Sequence, residues 1–202
     1  MWSKRIRYLN FLILFITVNV SAEYKITVLA TNISNYGGFG EWSFSALYES
    51  DEESVLFDTG YHEDTVLHNA KVLNKDLSKV NKVVLSHFHS DHTGGLIKLR
   101  QIYKDLNPDA FSEVYVARGF FDQRYYKDGS MEGPGNYKDS SKFKKAAEEE
   151  GISFIILDDY KKISNNLFAT GTVERVVEKY NGPKGFYLDK DLIIPDTIRD
   201  DQ

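Results

Sequence analysis

The 202 residues, 42% hydrophobic and 14% aromatic, provide for one domain with a sizeable core. A formal charge of −5 with no basic stripe argues against nucleic acid as a partner, because an acidic chain repels phosphates. With no cysteine, disulfides, thiolate ligands, a cysteine nucleophile and a cysteine-linked lipid anchor are excluded, and any metal must be held by His, Asp or Glu.

In chain order, Lys4, Arg5 and Arg7 precede the apolar run Leu9–Val20, and Val20-Ser21-Ala22 places small residues where a signal peptidase cuts. Residues 1–22 are therefore expected to be a secretory signal removed after Ala22. The apolar run is shorter than the roughly 20 residues that span a bilayer, which disfavours an uncleaved anchor. The remaining domain, residues 23–202, is expected to be secreted or periplasmic with no stable membrane anchor. It is also more acidic than the whole chain, since the lost segment carries cations and no acid.

Lys25–Ala30 has a β-branched core and predicts a strand. Asn35–Gly40 is glycine-rich but lacks the ending of a phosphate-binding loop, so it reads as a flexible connector. Asp64–Asn74 carries Val66, Leu67, Ala70 and Leu73 at helical spacing, with Asp64 as candidate N-cap. His62 and His68 lie in or beside that helix and read as solvated, His62 being the nearer to the presumed mouth of a site. Lys82–Leu85 is a strand, Gly94–Lys104 a helix stopped before Asn107-Pro108, and Glu113–Ala117 another strand. Arg118–Lys142 is irregular and aromatic, suited either to covering a ligand or to capping the core. Lys142–Glu150 predicts a charged helix closed by Gly151, and Ile152–Leu157 and Leu167–Val173 predict further strands. The β-α-β alternation implies an α/β architecture.

Three of the five histidines and an aspartate fall in the six residues His87-Phe88-His89-Ser90-Asp91-His92, one residue after the apolar run Val83-Val84-Leu85. Extended backbone sends residues i and i+2 to one face, so His87 and His89 can present two imidazoles to one ion while Asp91 and His92 turn toward a second. Imidazole nitrogen and carboxylate oxygen are ligands that zinc accepts, and iron or manganese suits such a set as well.

This HxHxDH pattern resembles that of the metallo-β-lactamase superfamily, residue for residue at His87, His89, Asp91 and His92. Gly40–Glu49 and Ser54–Gly60 look like its paired opening strands, the second ending in Phe57-Asp58-Thr59-Gly60. Thr93-Gly94-Gly95-Leu96 resembles the branch that includes the dihydropterin-type phosphate synthases and many uncharacterised hydrolases. Ile194–Gln202 looks like the segment before that branch's next core strand. The resemblance implies an αββα sandwich and two zinc ions held by His87, His89, Asp91 and His92. Asp91 would also handle a proton during catalysis, and Asp58 would orient a ligand histidine from behind. It further implies later ligand histidines, and none follows His92, so the domain is expected to be C-terminally incomplete. The expected function is an exported zinc hydrolase that uses a metal-activated water on a small-molecule ester, phosphoester, amide or lactone. The alternatives are a synthase or transferase on a phosphorylated pterin-like substrate, or a non-catalytic remnant.

Overall fold

The computed structural model describes residues 23–173 and 185–196. The expected signal at residues 1–22 lies outside the described residues, as does the stretch 197–202 that formed part of the resemblance.

Six strands form one mixed sheet: β1 (Lys25–Ala30), β2 (Ser45–Glu49), β3 (Ser54–Phe57), β4 (Val80–Val84), β5 (Glu113–Ala117) and β8 (Ser153–Leu157), in the order β1-β2-β3-β4-β5-β8. The first three pair antiparallel, Tyr48 opposite Val55 at the β2–β3 turn. From β3 onward all pairs are parallel, with Phe57 beside Val84 and Val83 beside Val114. Parallel neighbours need a crossover, and helices supply it. They are α1 (Thr65–Val72) between β3 and β4, α2 (Ser90–Thr93) and α3 (Leu96–Tyr103) between β4 and β5, and α4 (Ser140–Glu149) before β8.

Alternation along each strand decides the layers. Leu47, Leu56, Val83, Val114 and Val116 point to one face and form the main core with Val66 and Ala70 of α1, Leu96 and Leu99 of α3, and Phe143 and Ala147 of α4. Val55, Val84, Tyr115 and Leu157 point the other way into a smaller cluster with Ile163 and Ala169. Those last two belong to a hairpin of β9 (Lys161–Lys162) and β10 (Phe168–Ala169). Of the expected αββα layering, the described residues hold one helical layer, the mixed sheet and, on its second face, this hairpin.

Several expectations are corrected. The helix expected over Gly94–Lys104 is α3, and a single turn not expected from the sequence, α2, precedes it within the motif. Asp64 sits at the N-cap of α1 without a side-chain cap bond. Glu41 instead ties down the loop that leads into α1, accepting from the Tyr61 and His62 amides and the Thr65 hydroxyl. The Asn35–Gly40 loop is anchored rather than a loose connector: Asn69 accepts from the Phe39 amide and donates to the carbonyls of Phe39 and Leu29. The strand expected over Leu167–Val173 shrinks to β10, because Gly171 turns away at φ 68° against the Asp159 backbone. The irregular stretch after β5 holds β6 (Arg124–Tyr126) and β7 (Met131–Glu132), which join β11 (Phe186–Tyr187) in a second small sheet.

Candidate metal centre

Because β3 and β4 run parallel, their C-terminal ends lie side by side, and both candidate segments leave the sheet there. Asp58, one residue past β3, takes φ 54° and ties back through its amide to the Val84 carbonyl at 2.9 Å. Its carboxylate, fully buried, accepts from the Ser86 amide (2.7 Å), the Ser86 hydroxyl (2.8 Å) and His92 Nδ1 (2.7 Å). Asp58 therefore lies behind His92 of the motif.

The bonding assigns the tautomers. His92 Nδ1 donates to Asp58, so Nε2 carries the lone pair and faces Asp91 Oδ2 at 3.6 Å. The Ser86 hydroxyl gives its proton to Asp58, so its 3.0 Å contact with His87 requires that His87 Nδ1 donates. His87 Nε2 then also carries a lone pair. It points at His89 Nδ1, 2.9 Å away, and His89 Nε2 is buried with no hydrogen-bond partner among the described residues. Burial, and then the neighbouring imidazoles and Arg124, lower the His87 pKa to about 3, and burial lowers that of His89. Both rings are thus neutral at pH 7, the form that binds a metal. Burial pushes the Asp58 carboxyl up, against the opposing pull of His92 and Ser86.

Ligand atoms of His87, Asp91 and His92 all lie within 4.8 Å of one another. The four motif residues therefore form one compact cluster rather than two separate pairs, with His89 joined to it through His87. Two nitrogens bound to one zinc at about 2.05 Å stand roughly 3.3 Å apart in tetrahedral geometry, so small ring movements, with the His89 proton passed from Nδ1 to Nε2, would bring His87 and His89 onto one ion. The donor set fits a divalent metal. Asp91 and His92 keep side-chain exposures of 22% and 20%, which leaves the cluster open to a ligand from solvent.

Two glycines let the motif close on the β3 loop. Thr59 donates from its amide and hydroxyl to the His92 carbonyl, and the Gly94 amide donates to Gly60. A Cβ on Gly94 would stand 1.8 Å from the Tyr61 carbonyl oxygen, and one on Gly95 would stand 2.5 Å from that of Thr59. His62 and His68 stay out of the cluster. The His62 ring packs on Tyr61, and His68 stacks on Phe39 and reaches the Gly37 carbonyl.

Sequence reasoning left the stretch that holds β6 and β7 open between covering a ligand and capping the core, and singled out neither Arg124 nor Phe186 beside the motif. Phe186 lies 5.6 Å from the His89 ring and 4.7 Å from Tyr126, whose hydroxyl donates to Glu132 at 2.5 Å. Burial raises the Glu132 carboxyl, and the charge of Asp91 adds to that effect. Beneath lies Arg124, wholly buried. The available signal was an arginine amid Phe120, Phe121, Tyr125 and Tyr126.

The sequence profile of the Metallo-beta-lactamase superfamily matches residues 43–107, which span β2 to the end of α3 and include every motif residue. The solved structure of Tm1679, a metal-dependent hydrolase of the beta-lactamase superfamily, is 26% identical and superimposes with a TM-score of 0.65 over 89% of this chain and 60% of that one. The chain has the metallo-β-lactamase fold. It is 25% identical, over 88% of its length and 61% of the relative's, to the 7,8-dihydropterin-6-methyl-4-(beta-D-ribofuranosyl)-aminobenzene-5'-phosphate synthase of Methanocaldococcus jannaschii. It is also 35% identical to the uncharacterized protein MJ0448 of that organism, over 47% of this chain and 39% of the relative. The chain thus spans about three fifths of the synthase and of the solved hydrolase.

Proposed function

We propose that this chain carries the metal-binding part of a hydrolase that acts on an ester, phosphoester, amide or lactone bond of a small molecule. The observation that carries this reading is the relay from Asp58 through His92 and Ser86 to His87. It leaves both Nε2 lone pairs facing a cluster that contains Asp91. Zinc bound there, as one ion or a pair, would supply a water of lowered pKa and polarise the bond under attack. His87, His89 and His92 act as neutral donors, and Asp58 holds His92 in register. Asp91, partly open to solvent, is placed to accept a proton and pass it to the leaving group. The basic, apolar and small-residue sequence of residues 1–22 supports export as the setting.

The similarity to the dihydropterin-type synthase supports a second reading, action on a phosphorylated pterin-like substrate by the same cluster. Elemental analysis of dialysed protein, paired with assays of p-nitrophenyl esters and bis-p-nitrophenyl phosphate, tests the first reading. One to two zinc ions per chain and turnover abolished by chelator are expected. Protein that retains less than half an equivalent and hydrolyses neither probe would overturn it. Metal retained without hydrolysis would favour the synthase reading.

A further inference from the structure

A buried guanidinium is tolerated only where its donors find acceptors. Arg124, at 0% exposure, meets that condition across three chain segments. Its Nη1 donates to the carbonyls of Gly119 (2.8 Å), Phe120 (3.3 Å) and Asp122 (2.7 Å). Its Nε faces Asp196 Oδ2 at 3.3 Å, and the Asp196 side chain is itself 1% exposed. Its guanidinium carbon lies 3.9 Å over the ring of Phe88.

Phe88 stands between His87 and His89 in the chain and turns into the core. Its ring lies 4.4 Å from the His89 ring, and on another side Phe186 approaches His89 at 5.6 Å. Phe186 and Asp196 share one segment, closed by the Asp196 amide on the Phe186 carbonyl at 3.0 Å. Arg124 thus joins the stretch after β5, the aromatic ring inside the motif and the segment that packs on His89.

We propose that Arg124 is a positioning residue for the histidine cluster. Stacked on Phe88 and paired with Asp196, it holds the 186–196 segment against the motif and fixes the His89 ring so that Nδ1 faces His87 Nε2. A flat guanidinium combines face stacking with directional in-plane donors, and a lysine ammonium reproduces the charge without the fork. The consequence for metal binding rests on the proposed function, but the orientation of His89 is a property of the metal-free chain too.

The test compares imidazole nitrogen NMR spectra of the metal-free mature protein, as wild type, Arg124→Met, Arg124→Lys and Asp196→Ala, with zinc affinity measured by chelator competition. Folding is monitored by circular dichroism. In Arg124→Met the ring signals of His87 and His89 are expected to shift while those of His62 and His68 stay, and zinc affinity is expected to fall about tenfold or more. Arg124→Lys should restore part of both. A folded Arg124→Met with unchanged His89 signals and wild-type zinc affinity overturns the proposal. Should that variant not fold, Asp196→Ala decides. It keeps the cation over Phe88 and releases the 186–196 segment, so a shifted His89 supports the proposal and an unmoved one overturns it. If the wild type binds no zinc, the metal reading fails, and the ring spectra still decide the role of Arg124.

Discussion

The carboxylate of Asp58 collects hydrogen bonds from Ser86 and His92, 28 and 34 residues away in sequence, and so sets which nitrogen of two histidines carries a proton. An amide in its place offers one acceptor atom and adds two donors, so the relay cannot persist intact. Asp58→Asn is expected to lower zinc affinity by about 10- to 100-fold in chelator competition. An unchanged affinity would mean that His92 keeps its tautomer without the carboxylate. Glu41 works in the same way at the entrance to α1. Burial pushes its carboxyl up, but the donors from Tyr61, Ser43, Thr65 and His62 outweigh it and hold the pKa below 4.5. A depressed carboxylate pKa contributes stability above the unfolded value of 4.5, and that contribution is lost as pH falls through the lower folded value. Glu41→Gln should cost about 1 kcal/mol at pH 7, the net scale of one intramolecular hydrogen bond. The gap from wild type in urea melts should narrow below pH 4.5, whereas a gap constant with pH would assign the effect to shape rather than charge.

Between elements, the contact that most constrains the chain is the loop after β3 pressed on the turn that begins α3. Gly94 has ordinary helical angles, so its requirement is one of space: a methyl group would overlap the Tyr61 carbonyl. Gly94→Ala is expected to lower stability by about 3 kcal/mol or more, read as a shifted denaturant midpoint. A midpoint equal to wild type would show that the loop lifts away freely. Elements with their own periodicity are legible in the sequence. β1 and β5 occupy the expected residues, and α1 and α4 fall within a few residues of expectation. β6, β7 and β11 are not legible, because strands of two or three residues carry no period and their pairing is distant, as with Tyr126 opposite Phe186.

Over the whole molecule, the motif and Asp58 are legible because spacing on one strand end is local information. Arg124, Asp196, Phe186 and the Tyr126–Glu132 pair are not, since their partners come from segments that sequence alone does not bring together. An arginine among aromatic residues reads as a surface cation until the fold buries it. The same distances impose an order on synthesis. Arg124 and Asp196 are 72 residues apart, and at about 5–20 residues per second a ribosome needs roughly 4–14 s to extend from one to the other. The five strands β1 to β5 and the histidine cluster are already translated by then. Until Asp196 has been added its pair with Arg124 cannot form, so under the role proposed for Arg124 an incomplete chain would offer an arriving ion a looser set of donors than the finished protein does.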